Sequence, residues 1–381
     1  MHKNVPQMTS TVLPMPTLID ARDVATRLRD SAVDLVGLMT TPLLPADYVD
    51  LVSPLRAGAE LRGRVVDIHP ETRDAVTLVI RPGRGWAGHV PGQYIRIGLD
   101  VDGVRQWRAY SLTSPVDRAD GCISITVKAI PDGRVSTHLV RRARAGMLVH
   151  LDQACGEFVL PDPRPAKVLF VTAGSGITPV MGMLRNALDE LGDIVIVHSA
   201  PTATDVIFAG ELRMLAARGR LQLVERHTDT DGMLDSEQLA DLVADLDERE
   251  TWACGPAGLL DALEQRWADR GIPERLHTER FRAALLATGD GGTVTFTTSE
   301  LEVDAGGSTS LLDAGESAGV LMPSGCRMGI CFGCVAPLRE GTVRDLRSGE
   351  LTTAAPDAGP ARAVLVQTCV SAAAGSCEIE L

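Results

Sequence analysis

Near its carboxyl end the chain reads Pro323-Ser-Gly-Cys326-Arg-Met-Gly-Ile-Cys331-Phe-Gly-Cys334, and a fourth cysteine follows at Cys369. The first three cysteines have the spacing C-x4-C-x2-C, and a distant fourth completes a set of thiolates that can hold a two-iron, two-sulfur (2Fe-2S) cluster. Glycines in this loop let the backbone wrap closely around an anionic cluster and point amide N–H groups at its sulfides. The stretch therefore predicts a metal site with the ligands Cys326, Cys331, Cys334 and Cys369.

A structural zinc site is the alternative for the same four thiolates. Zinc-binding cysteines usually occur as two close pairs. Here Cys369 has no near partner except Cys377, so the spacing favours the cluster over zinc.

The loop resembles that of plant-type ferredoxin domains, whose Cys-Arg-x-Gly-x-Cys core is matched by Cys326, Arg327, Gly329 and Cys331. The sequence departs from that family at Phe332, where a small residue is expected. The resemblance implies an α+β domain of the β-grasp type over residues 293–381, after a glycine-rich linker.

Length, composition and charge limit the possible classes. With 381 residues, 45% of them hydrophobic, the chain can form two or three domains. No apolar run approaches the ~20 residues that span a bilayer, and the first residues lack a signal-peptide pattern. We therefore expect a cytoplasmic protein that is not itself transmembrane and that lies peripheral at a membrane only through its partner.

A net charge of −13 makes nucleic acid an unfavourable partner. Acidic residues outnumber basic ones in the segment 293–381. This segment is expected to dock on a protein with a basic face.

Residues 1–55 form an extension with one predicted helix, Asp20–Met39, whose apolar residues recur at helical spacing. The helix is expected to pack on the next domain; contact with a membrane or a partner is the alternative.

Residues 56–162 show short β-type runs that are separated by turn residues, a pattern typical of an antiparallel β-barrel. One helix, Val135–Ala145, interrupts the runs. The predicted strands are Leu61–Ile68, Ala75–Ile80, Tyr94–Leu99, Arg105–Leu112 and Cys122–Ala129.

Residues 163–287 alternate buried strands with helices, which predicts a doubly wound parallel α/β sheet. The strand Lys167–Ala173 leads into Gly174-Ser-Gly176-Ile-Thr178-Pro179, a turn that lets a diphosphate reach the N-terminus of the following helix. Pro179 replaces the third glycine of the common dinucleotide motif, so this turn by itself is equally compatible with a structural role.

The barrel carries Arg108-Ala-Tyr110-Ser111 and, later, Gly133-Arg-Val-Ser136-Thr137. An arginine fork suits a diphosphate, a tyrosine offers a flat face to a ring, and a helix N-terminus offers amides to a phosphate. Taken alone, Tyr110 could equally belong to the core.

Together these motifs resemble the ferredoxin-NADP reductase superfamily, specifically the three-domain reductases of oxygenases and desaturases. The resemblance implies that Arg108 binds the flavin phosphate, that Tyr110 packs on the flavin ring and that Ser111 lies near its N5 atom. It also implies FAD as cofactor, although FMN remains open. The other FAD contacts that it implies are Val127, Lys128, Val135, Ser136 and Thr137.

The same resemblance assigns a nicotinamide-nucleotide site to two segments. It implies that Cys254 lies beside the nicotinamide, that Glu279 helps to set the hydride geometry and that Phe281 covers the flavin. Cys254 and Phe281 as ordinary core residues are the alternatives. The implied nucleotide contacts are Gly174, Ser175, Gly176, Thr178, Pro179, Cys254, Gly255 and Pro256.

A nicotinamide gives up two electrons as hydride and a 2Fe-2S cluster accepts one at a time, so a flavin must stand between them. The implied enzyme is an NAD(P)H-dependent flavin iron-sulfur reductase. NADPH is favoured over NADH, and the expected acceptor is a membrane-bound di-iron acyl-CoA desaturase. The alternatives are a soluble hydroxylase or ring-hydroxylating dioxygenase as acceptor, or a cluster-based redox sensor.

A visible spectrum of the purified protein, with iron and flavin analysis, tests the set of cofactors. We expect flavin absorption together with the absorption of a 2Fe-2S cluster, and iron and flavin in about a two-to-one ratio. A yellow protein without iron would contradict the predicted cluster. A colourless protein would point to zinc or to no cofactor.

Overall fold

The computed structural model describes residues 55–56, 60–101, 104–131, 133–281, 287–325, 327–329, 332–355 and 364–381. The predicted helix Asp20–Met39 and the predicted ligands Cys326 and Cys331 lie outside the described residues. The helices and strands described below belong to one compact unit, Glu60–Leu381.

The first domain is an antiparallel barrel, as the sequence predicts. Its elements are β1 (Arg62–Thr72), β2 (Ala75–Pro82), β3 (Tyr94–Val101), β4 (Val104–Ser111), β5 (Ile123–Lys128), α1 (Arg134–Arg142) and β6 (Leu148–Leu151). The strand order is β4-β3-β6-β1-β2-β5, and a bridge between Leu112 and Ile125 brings the two edges together. Buried aliphatic residues such as Leu78 and Ile97 fill the interior because every second side chain points inward.

The second domain is the predicted parallel sheet with helices. It contains β7 (Lys167–Ala173), a 3-10 turn (Gly174–Gly176), α2 (Ile177–Ala187), β8 (Asp193–Ala200), α3 (Ala209–Ala217), β9 (Gln222–His227), α4 (Thr228–Asp231), α5 (Ser236–Leu242), a 3-10 turn (Leu246–Glu248), β10 (Glu250–Cys254), α6 (Ala257–Asp269), a 3-10 turn (Pro273–Arg275) and β11 (Leu276–Glu279). In the strand order β11-β10-β7-β8-β9, the chain adds β8 and β9 on one side of β7 and then β10 and β11 on the other side. The glycine turn after β7 therefore lies at the topological switch point, where such sheets bind ligands.

The third domain is a mixed sheet with one helix, which fits the expected α+β layout. It contains β12 (Gly292–Phe296), β13 (Leu301–Ala305), α7 (Leu311–Ser317), β14 (Val335–Asp345), β15 (Leu351–Ala354), β16 (Val364–Gln367) and β17 (Ser371–Ile379). The order is β13-β12-β17-β14-β15, with β16 paired to β14 and with β12 parallel to β17. Phe296 and Leu311 lie in its apolar core.

Helix α2 packs directly on the barrel. A Cβ atom at Gly182 would overlap the Leu112 carbonyl oxygen, so only glycine permits this approach. Next along the helix, Arg185 Nη1 donates a hydrogen bond of 2.7 Å to the Thr113 carbonyl. The glycine turn at the start of α2 is thereby held beside the end of β4.

Within the described part of the chain, no helix is both long enough and apolar enough to cross a bilayer.

Two glycine-to-alanine substitutions in helices test the α2 contact. We expect Gly182→Ala to destabilise the protein by about 1–3 kcal/mol because the methyl group forces α2 away from β4. Gly210→Ala, in α3, is the matched control because its Cβ meets open space. That change should stabilise the protein by about 0.4–1 kcal/mol. Denaturant unfolding measures both, and equal effects would contradict the packing argument.

Candidate active site and cofactor sites

A cleft of about 880 Å³ is lined by residues of all three domains. The barrel, the parallel-sheet domain and the mixed-sheet domain therefore share one cavity. The predicted site residues in its lining are Arg108, Tyr110, Ser111, Lys128, Val135, Ser136, Ser175, Thr178, Glu279, Phe281 and Cys369.

Strand β4 brings Arg108, Tyr110 and Ser111 to the cleft. Burial, and next the like charge of Arg327, lowers the pKa of Arg108 to about 10, so the guanidinium remains charged at neutral pH. Burial raises the pKa of the Tyr110 hydroxyl, which stays neutral. The Ser111 Oγ is buried without a hydrogen-bond partner among the described residues. A buried hydroxyl of this kind fits a site whose partner atom comes from a cofactor.

The N-terminal turn of α1 lines the same cleft through Val135 and Ser136. The Ser136 hydroxyl donates to the Gly133 carbonyl at 3.2 Å and accepts from the Ile130 amide at 3.3 Å, so it shapes the loop. The amides of the first helical turn remain the natural donors to a phosphate.

Two of the predicted FAD contacts do not line the cleft. The Val127 side chain is fully buried in the barrel core, and Thr137 lies outside the lining. Lys128 does reach the cleft, where its Nζ is 2.8 Å from Asp74. The predicted contacts of Val127 and Thr137 with FAD therefore have no support in the lining of this cleft.

The turn after β7, Gly174–Pro179, requires glycine at two positions. Gly174 has a positive φ of 55°, and a Cβ atom at Gly176 would overlap the Cys254 carbonyl oxygen. The Thr178 hydroxyl donates to the Ser175 carbonyl at 2.9 Å, and Pro179 is buried in the first turn of α2. The turn is thus packed on the Cys254-Gly255-Pro256 segment, as a two-part nucleotide site requires, although these three residues and Gly174, Gly176 and Pro179 do not line the cleft.

Cys254 and Glu279 are neighbours on the parallel strands β10 and β11. Burial raises the pKa of Glu279 to about 8, and its Oε2 is a buried atom for which the described residues supply no hydrogen bond. Burial, followed by the nearby Glu279, raises the pKa of the Cys254 thiol. Both groups are therefore predominantly neutral at pH 7. Phe281, 39% exposed, follows them at the edge of the cleft.

Two of the four predicted cluster ligands are described. The buried sulfurs of Cys334 and Cys369 lie 3.1 Å apart, longer than the ~2.05 Å of a disulfide bond and close enough to bind one metal centre. In the same loop, Arg327 and Phe332 adopt positive φ angles of 59° and 54°. Phe332, the departure from the ferredoxin pattern, is 67% exposed.

The sequence analysis did not predict which side chains bind the cysteine loop. Arg327 donates to Asp313 at 3.0 Å and to Glu316, both on α7, and all three residues line the cleft. The arginine that follows the first cysteine was visible in the motif, but its partners are acidic residues with no pattern of their own.

The pKa of Glu279 predicts how stability depends on pH. Below pH 4.5 the carboxyl is protonated whether the protein is folded or not. As pH rises from 4.5 to 8 the unfolded chain ionises first, so folding loses stability, by at most about 1.4 kcal/mol per pH unit. Glu279→Gln removes this loss. Thermal unfolding between pH 4 and 9 should show that the melting temperature of Glu279→Gln rises relative to that of the parent as pH rises. The melting temperature of Glu274→Gln, a change at an exposed residue, should follow that of the parent. Parallel profiles for the parent and Glu279→Gln would contradict the assignment.

Three family models match successive parts of the chain. They are an oxidoreductase FAD-binding domain at residues 72–160, an oxidoreductase NAD-binding domain at 170–265 and a 2Fe-2S iron-sulfur cluster binding domain at 294–374. The third match favours a 2Fe-2S cluster over the zinc alternative.

Relatives cover most of the chain. An NADPH oxidoreductase from Mycobacterium tuberculosis is 49% identical over 354 residues, which cover 91% of either chain. The ferredoxin reductase component of a 3-ketosteroid-9-alpha-monooxygenase from Mycolicibacterium smegmatis is 31% identical over 306 residues, 74% of this chain and 86% of that one. The solved structure of phthalate dioxygenase reductase shares the fold, with a TM-score of 0.59 and 21% identity over 85% of this chain and 98% of its own. The chain therefore belongs to the family of NAD(P)H oxidoreductases in which a FAD-binding domain, a NAD-binding domain and a 2Fe-2S cluster domain follow one another.

Proposed function

We propose that this enzyme is the reductase component of an oxygenase system, which takes hydride from NADPH and delivers single electrons to a separate oxygenase protein. The shared cleft carries this proposal, because Ser111 of the barrel, Glu279 of the nucleotide domain and Cys369 of the ferredoxin domain all line it. Electron transfer requires carriers that lie close together. One cavity common to three domains supports the path from nicotinamide through flavin to cluster.

A bound flavin supplies the conversion between two-electron hydride transfer and one-electron transfer. The chain's own residues bind and orient it. In this proposal the charged Arg108 holds a flavin phosphate, and the first-turn amides at Val135 and Ser136 hold the diphosphate. Ser111 Oγ, which is buried and has no hydrogen-bond partner among the described residues, would donate to the flavin ring near N5.

The nicotinamide is proposed to bind beside the glycine turn and the Cys254–Pro256 segment, which pack directly on each other. Cys254 and Glu279, both neutral, keep charge away from the transferred hydride, and Phe281 shields the flavin from water. The proposed nucleotide contacts are Gly174, Ser175, Gly176, Thr178, Pro179, Cys254, Gly255 and Pro256. The proposed cluster ligands are Cys326, Cys331, Cys334 and Cys369.

The end of β8 supports NADPH rather than NADH. This strand ends in Ser199-Ala200, without the acidic residue that typically binds the ribose of NAD. Arg213 is held by Glu225 through two hydrogen bonds of 2.7 Å, which leaves Arg226 as the better candidate for the 2′-phosphate. Arg226 makes longer contacts: it donates to the Asp231 carbonyl at 3.1 Å and to Gln238 at 3.4 Å, and its Nε lies 3.9 Å from the Asp231 carboxylate. A 49% identical relative bears the name NADPH oxidoreductase.

The relatives favour an oxygenase over the membrane desaturase that the sequence suggested. Besides the ketosteroid enzyme, a glycine betaine monooxygenase reductase subunit from Chromohalobacter salexigens is 30% identical over 69% of this chain. The names of these relatives give no support to a desaturase. The alternative of a hydroxylase or dioxygenase acceptor therefore fits better, and the acidic third domain suits a basic docking face on it.

Reconstitution of electron transfer with two cysteine-to-serine variants, compared with the parent protein, tests the electron path. We expect the parent to reduce cytochrome c and an oxygenase component faster with NADPH than with NADH. Cys369→Ser, which removes a proposed ligand, should lower both rates by more than about tenfold while NADPH still bleaches the flavin, because the last carrier is lost. Buried Cys377→Ser, on β17, is the matched control and should keep the parent rates.

Equal rates for Cys369→Ser and the parent would sink the proposed path through the cluster. Support of a desaturase, with no turnover of any oxygenase component, would overturn the choice of acceptor while leaving the reductase chemistry in place.

A further inference from the structure

Arg347, which lies just beyond β14, contacts the cluster loop, the segment 326–334 that carries three of the proposed ligands. Its Nη1 donates to the Gly329 carbonyl at 2.9 Å, and Gln367 Nε2 donates to the same oxygen at 2.9 Å. Gly329 lies between the proposed ligands Cys326 and Cys331, and Gln367 precedes Cys369 by two residues. One carbonyl oxygen thus ties together the two segments that carry the ligands.

Asp345 fixes the orientation of this guanidinium. Its carboxylate accepts from Arg347 Nε at 3.1 Å and from Nη2 at 2.6 Å, and Nη2 also donates to Gln367 Oε1 at 3.1 Å. The carboxylate therefore holds one edge of the fork and leaves Nη1 directed at the loop. The fork is planar and rigid, so the positive charge has a defined position.

Gly329 is shaped to receive this side chain. Its φ is +73°, and a Cβ atom there would overlap Arg347 Nη1. The glycine thus allows both the left-handed backbone and the flush contact with the guanidinium. The close fit indicates that Arg347 belongs to the loop structure.

The charge of Arg347 also acts on the cluster ligands. Hydrogen bonds to Asp345 are the main reason why the pKa of Arg347 is raised, and electrostatic attraction to the sulfurs of Cys369 and Cys334 adds to it, so the guanidinium is a fixed positive charge that acts on both sulfurs. A four-thiolate 2Fe-2S cluster becomes more negative when it accepts an electron, and net charge and hydrogen bonding are what set its potential. A fixed cation at this place stabilises the reduced cluster more than the oxidised one.

We propose that Arg347 is a positioning residue that locks the cluster loop through Gly329 and raises the reduction potential of the cluster. The inference deepens the proposed function and rests on the proposed ligand set. A higher potential of the cluster increases the driving force for electron transfer from the flavin. The residue responsible lies outside the cysteine motif.

Redox titration of the full-length protein, followed by the electron paramagnetic resonance signal of the reduced cluster, tests this role. Arg347→Gln should lower the midpoint potential, with a reduced-to-oxidised ratio smaller by roughly threefold to tenfold at a fixed potential, where tenfold corresponds to about 59 mV. Arg347→Lys keeps the charge and loses the fork. It should keep a potential close to the parent's but release iron faster to a chelator.

Arg344→Gln is the matched control, since this β14 arginine contacts Gly349 and Asp290 and its change removes the same charge. The midpoint potential of the cluster in Arg344→Gln should equal that in the parent protein. If Arg347→Gln holds no cluster, Asp345→Asn gives the opposite test, because loss of the counter-charge should raise the potential. Unchanged potentials in Arg347→Gln and Asp345→Asn, or equal shifts in Arg347→Gln and Arg344→Gln, would overturn the proposal. A parent protein without a reduced-cluster signal would instead count against the proposed function.

Discussion

The close contact between helix α2 and the end of strand β4 is the constraint on which the site depends. Because Gly182 lies directly against the Leu112 carbonyl, the glycine turn before α2 and the strand that carries Ser111 border one cavity. A cofactor on the barrel and a nucleotide on the parallel sheet can then meet face to face. A larger residue at this position would separate the two binding surfaces without changing a single group in either of them.

Burial removes charge from two of the groups that the proposed hydride transfer uses. Burial keeps Glu279 and Cys254 neutral at neutral pH, and Ser111 and Glu279 each leave a buried polar atom without a partner among the described residues. Such atoms cost free energy in the absence of a ligand, and a bound cofactor offsets that cost. Hydride transfer depends on orientation and a dry environment more than on a proton donor, so this arrangement suits a flavoenzyme.

Two arginines hold the cluster loop. Arg327 reaches the carboxylates of α7, while Arg347 and Gln367 converge on the Gly329 carbonyl. Arg327 and Phe332 adopt left-handed backbone angles that ordinary residues avoid at a cost of about 1–2 kcal/mol each. Ligation of a metal cluster can stabilise such a backbone, since binding free energy is also folding free energy.

The sequence by itself determined the order of the three domains and, through the resemblance of three local patterns to one family, implied the class of each cofactor. These patterns are the cysteine spacing, Arg108–Ser111 and Gly174–Pro179. Periodicity also predicted the main barrel strands and the parallel sheet. It missed β6, which has four residues and exists because it pairs with β1 and β3. Only the tertiary structure decided that Val127 points into the core, that Glu225 neutralises Arg213 and that Arg347 faces the cluster loop. The physical reason is that strand register and partners distant in sequence set where a side chain points, and no local pattern records either one.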